Sequence, residues 1–137
     1  MAYRAKDEVE AVVHGFESCR TPADAFTHAD HLAVAAYYLR GDSEETALVK
    51  IREGLLRFLT FHGVGTQKYN ETITLFWLKQ VNACLNESDP RLSWVGRVNV
   101  MLEQLGSSRL VFEYYSEALL ESPDAKSGWV EPDLKKL

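Results

Sequence analysis

Two otherwise apolar helical stretches open on ionisable residues, and that is where chemistry could be done. One begins Phe26-Thr27-His28-Ala29-Asp30-His31 and runs almost wholly apolar through Leu39. The other begins Lys68-Tyr69-Asn70-Glu71-Thr72 and continues Ile73-Thr74-Leu75-Phe76-Trp77-Leu78. Polar groups at the mouth of a buried helix must be satisfied, by a neighbouring side chain or by a ligand. His28 precedes His31 by one helical turn, so the two share a surface. His62 extends the stripe Leu48, Ile51, Leu55 and Phe58. Glu71 lies in register with Leu75 and Leu78, and His31 with Ala35 and Tyr38, so each falls on an inward face.

Imidazoles and a carboxylate suit a divalent metal such as Zn, Fe, Mn or Ni. The metal candidates are therefore His28, His31, His62 and Glu71. The positive helix ends oppose a cation by only about 0.3–1 kcal/mol each, against roughly 10 kcal/mol for good ligation. The same ends favour an anion. Without a metal, His31 and Glu71 are the catalytic candidates, an acid/base pair working near neutral pH. His28, His62, Tyr69, Thr72 and Arg109 are the ligand-binding candidates for a small polar or anionic molecule. Tyr69 or Thr72 would orient it, and Arg109 would meet a carboxylate or else pair with Glu113. On this reading Glu71→Gln spares folding and abolishes binding. The plainer reading is that the groups satisfy one another. The chain is then an interaction module or a homodimer, and the polar cluster fixes helix register.

The elements that position these residues all read as helices. The first spans Arg4 to Ser18, with Val9, Val12, Val13 and Phe16 as its stripe. The second starts at Ala23 or Thr27, where Thr27 and Asp30 form a capping box, and ends at Gly41. The third runs from Asp42 or Ser43 to the Gly63/Gly65 pair. The fourth runs from Asn70, as N-cap, to about Asn86. Asp89-Pro90 opens the fifth, which Gly106 ends. The sixth runs from Ser107 or Ser108 to Leu120. Residues 122–137 read as an extended tail pinned by Trp129, Val130, Pro132 and Leu134. The fold class is all-α: a single compact bundle of five to six antiparallel helices over residues 1–121, with the tail packed on it. Short connections alternate chain direction. That alternation carries His28, His31, His62, Tyr69 and Glu71 to one end. Gly54 and Gly96, both mid-helix, permit close approach of a neighbour.

Composition narrows the function classes. A net charge of −5 with no dense Lys/Arg run argues against nucleic acid and against an anionic membrane surface. Lys79 and Asn82 interrupt the longest apolar run, so no segment spans a bilayer. The stretch from Met1 to Glu8 lacks an apolar signal core, which sets a cytoplasmic expectation. Cys19 and Cys84 have no metal-binding spacing and sit at opposite ends of the bundle, unbonded. Gly63-Val64-Gly65-Thr66 lacks the lysine of a phosphate-binding loop.

Three stretches together resemble a group of uncharacterised bacterial helical proteins of this size. They are Phe26-x-His28-x-x-His31-Leu32, Lys68-Tyr69-x-Glu71-Thr72-x-Thr74, and Ser122-Pro123-x-Ala125-Lys126-x-x-Trp129-Val130-x-Pro132-Asp133-Leu134. The resemblance covers most of the chain. It implies a shared all-helical fold in which the three stretches belong together, and it brings no activity.

Overall fold

A computed structural model of the chain describes residues 3–137. Met1 and Ala2, where both the N-terminal reading and the expected 1–121 unit begin, lie outside the described residues. Helix α1 (Lys6–Glu17) buries Val9, Val13 and Phe16. Helix α2 (His28–Gly41) starts at the expected capping box. The Thr27 hydroxyl accepts from the Asp30 amide, and the Thr27 amide donates to the Asp30 carboxylate. Leu32 to Ala36 and Tyr38 are all buried. A run of consecutive buried residues means a helix covered on every side, and α2 is the central rod of the fold.

Helix α3 (Glu44–Phe61) is capped by Ser43, whose hydroxyl accepts from the Thr46 amide. It stops at Gly63, which takes a φ of +70° that a side chain would resist. The Gly63 and Val64 amides then donate back to Thr60 and Leu59 carbonyls, closing the helix end. A 3-10 turn, Thr66–Lys68, leads to Asn70, which caps α4 (Glu71–Glu87). Helix α2 packs on α1, α3 and α4. Gly54 of α3 allows one close approach: a Cβ there would stand 2.6 Å from the Phe16 ring.

Three boundaries differ from the sequence expectation. Helix α5 (Trp94–Gln104) starts at Ser93, not at Asp89-Pro90. The Ser93 hydroxyl captures the Gly96 amide, while the Asp89 carboxylate is taken by Arg91. A Cβ on Gly96 would meet Ser93 and Leu92, so that glycine serves this cap and no helix crossing. The expected sixth helix is broken into a 3-10 turn (Ser108–Leu110), α6 (Val111–Tyr114) and α7 (Glu117–Leu120). Ser116 causes the second break, because its hydroxyl caps α7 and also donates to Asp133.

The tail is the third correction. Residues 122–137 are not extended throughout, because Ser122 and Pro123 start a further helix, α8 (Pro123–Ser127). A serine cap followed by proline at the first position favours a helix. Ala125 is buried, and α8 packs on α4. Among the described residues the chain has eight α-helices, three 3-10 turns and no strand. None of those helices is long and apolar enough to cross a membrane. The main core lies among α1 to α5, and a smaller one gathers Phe76, Val111, Tyr115 and Leu120.

Candidate functional site

The first turns of α2 and α4 and the second half of α3 enclose a cavity of about 430 Å³. Its wall is mostly apolar, with Phe26, Ile51, Leu55, Leu59, Ile73 and Trp77 prominent. His28, His31, Lys68, Tyr69, Asn70 and Thr74 are the polar residues of the lining. Three of the sequence candidates, His28, His31 and Tyr69, are thus brought together.

His28 is held in one orientation. Its Nε2 donates to the Leu105 carbonyl at 2.9 Å, and its ring stands edge-on to Trp77 with centroids 4.5 Å apart. That bond fixes the tautomer and leaves Nδ1 as an acceptor in the neutral ring. His31 has its surface open to the cavity yet is ringed by protein, with the Phe26 ring 4.3 Å away. Burial, with a smaller push from His28, lowers its pKa from the ordinary 6.5 to about 4. The imidazole is therefore neutral at pH 7 and able to accept or donate one hydrogen bond. Lys68 lies exposed along the same wall and joins no ion pair among the described residues.

Glu71 is not part of that wall. It is 9% exposed, and both of its oxygens are engaged. Arg52 Nε donates to Oε1 at 3.0 Å and Arg52 Nη2 to Oε2 at 2.5 Å. The Tyr69 hydroxyl donates to Oε1. The Arg52 bonds hold the carboxyl below its usual range against the opposing effect of burial. Burial and the bond to Glu71 raise the Tyr69 phenol well above its own range. Tyr69 therefore offers the cavity its ring while its hydroxyl is spent. Arg52 is the residue that sequence reading missed. It sits nineteen positions before Glu71, as one charge on the polar side of α3, and only the need of a buried carboxylate for a partner could have pointed to it.

Other candidates lie elsewhere. The chain leaves helical geometry at His62, the C-cap of α3, so extending the α3 stripe one residue further misplaces the ring. It packs against Phe58 and Phe61, at 4.4 and 5.0 Å, and does not line the cavity. Its Nε2 is buried without a partner. Thr72 is fully buried; its hydroxyl donates to the Gly128 carbonyl at 2.7 Å and accepts from the Val130 amide. Arg109 is exposed in the 3-10 turn before α6, stacked over Phe112 at 4.5 Å. The expected metal set also fails to assemble. Among the described residues, no group of three or more His, Cys, Asp or Glu is placed to hold a metal ion. Both cysteines are free, Cys19 being buried.

No family model, curated protein or solved structure matches the chain.

Proposed function

We propose that the protein binds a small molecule with an apolar body and an anionic head, in the cavity between α2, α3 and α4. The observation that carries this reading is the composition of the wall: hydrocarbon and aromatic surface, interrupted by His28, His31 and Lys68. Pockets of this size and make-up hold ligands by apolar burial and use a few polar groups for orientation. Lys68 is the charged group on that wall and no carboxylate accompanies it, so the complementary head is an anion. His31 stays neutral and adds one hydrogen bond. Glu71 and the Tyr69 hydroxyl are committed to Arg52 and to each other, and they shape the wall from behind. The antiparallel order that short connections impose belongs to the same reading, since it gathers two helix starts and one helix end at the mouth. The resemblance to uncharacterised bacterial helical proteins implies an all-helical fold and adds no ligand.

The test compares octanoate with octanol. Octanoate should raise the melting temperature and octanol should raise it less, because ligands that bind only the folded state stabilise it. Lys68→Gln should remove the difference between them. Ala35→Phe, which fills the cavity, should remove both responses. An octanoate response that survives Ala35→Phe unchanged would sink the proposal.

A second reading, a homodimer, draws on Phe61, which is 68% exposed, and on Val64 just beyond the same helix end. Sedimentation of the wild type and of Phe61→Ser separates it from a monomeric binder, since only a dimer held by this end would dissociate on that change.

A further inference from the structure

The opposite end of α2 carries a second cavity that the first site does not use. It measures about 350 Å³ and lies between the last turn of α2, the second half of α4 and the start of α5. Arg40 and Arg97 both line it, and no aspartate or glutamate does. Neither arginine joins an ion pair among the described residues. Arg97 Nε is buried with no hydrogen-bond partner. A buried guanidinium N–H without an acceptor is a costly thing to leave in a fold. The Arg40 guanidinium stacks over Trp94 at 5.2 Å, which restrains its planar fork. Glu44, which bonds to Asn82 on the rim of this cavity, is paired with Lys79 and does not line it.

We infer that this cavity is an oxyanion site for a phosphate group. Two guanidiniums sharing one space match a tetrahedral dianion better than a single carboxylate, because each can present two N–H donors to it. The start of α5 favours an anion while the C-terminal ends of α2 and α4 oppose one, so the two guanidinium charges carry the attraction. The cavity exceeds the size of a lone phosphate. Asn86, whose Nδ2 is bonded to Asn82, keeps its Oδ1 for a hydroxyl donor. The ligand is thus free phosphate or the phosphate monoester of a small hydroxylated body. This assignment stands on different residues from the octanoate site and does not depend on it.

Calorimetric titration of the full chain with inorganic phosphate and with glycerol 3-phosphate, at fixed ionic strength set by NaCl, tests it. Saturable one-to-one binding of at least one probe is expected. Arg97→Gln and Arg40→Gln should each weaken it by at least about tenfold, the scale of losing one charge-assisted bidentate contact. Lys126→Gln, the same change of charge at an exposed position of α8 that lines neither cavity, should leave it unchanged. A tighter monoester shows that the hydroxylated body is read, and equal affinities show that phosphate alone is held. Should Arg97→Gln disturb folding, the exposed Arg40 still decides the matter. No saturable heat with either probe, or full affinity in Arg40→Gln, overturns the assignment.

Discussion

Glu71 shows how a residue chosen for its chemistry can be there for its bonds. From sequence it is an acid at the mouth of an apolar helix, hence a catalytic candidate. In the structure its oxygens are claimed by Arg52 and Tyr69. Glu71→Gln is accordingly expected to lower stability by about 1–2 kcal/mol, a moderate figure because Arg52 is partly solvated. Octanoate affinity should stay within a few-fold of wild type. Urea unfolding and calorimetry on the same variant check both halves, and they reverse the outcome read from sequence. His31 makes a separate forecast. Its folded pKa, about 4, lies below the ordinary 6.5, so the unfolded chain takes up the proton first as pH falls. Its contribution is whole above pH 6.5 and is lost progressively toward about 4. Glu71 acts lower: its carboxyl is depressed, so its contribution is present above the ordinary 4.5 and lost as pH falls through the folded value. Stability measured against pH should therefore lose its slope between 6.5 and 4 in His31→Gln and keep the steeper acid limb.

At the scale of elements, local signals were legible and long-range ones were not. Thr27 with Asp30, Ser43 and Asn70 cap their helices as their types suggest. Asp89-Pro90 carries an equally good start signal and loses to Ser93, because Arg91 occupies the aspartate. Ser116 breaks the sixth helix through Asp133, seventeen residues away, which no local pattern reveals. The cavity itself was half legible. The placement of His28, His31 and Tyr69 follows from where helices begin. His62 falls outside because α3 ends at Phe61, one residue short of carrying its stripe to that ring. Gly54, a mid-helix glycine in the sequence, is a point of close approach to Phe16, and it yields a sharp forecast. Alanine there gains up to about 1 kcal/mol of helix propensity. It also drives a methyl into the Phe16 ring, where overpacking costs about 1–3 kcal/mol. Gly54→Ala should be net destabilising in urea unfolding; a neutral result would mean that Phe16 can turn away.

For the whole molecule, the tail closes the fold. Thr72 bonds to Gly128 and Val130, the Tyr115 hydroxyl donates to the Val130 carbonyl at 2.7 Å, and Leu134 donates to Tyr114. Asn70, which caps α4, also reaches the Leu120 carbonyl. The start of α4 is thereby gripped from behind by the last third of the chain and from the side by Arg52. That double hold keeps one wall of the first cavity in place.

The buried rod α2 has one more implication. It touches α1, α3, α4 and α5, and its two ends reach the two cavities. Peptide groups sealed on every side can trade protons with water only when the whole assembly opens. Deuterium should therefore enter residues 32–38 last, at the rate of global unfolding. Occupying either cavity should slow that uptake along the entire rod, including the end remote from the ligand.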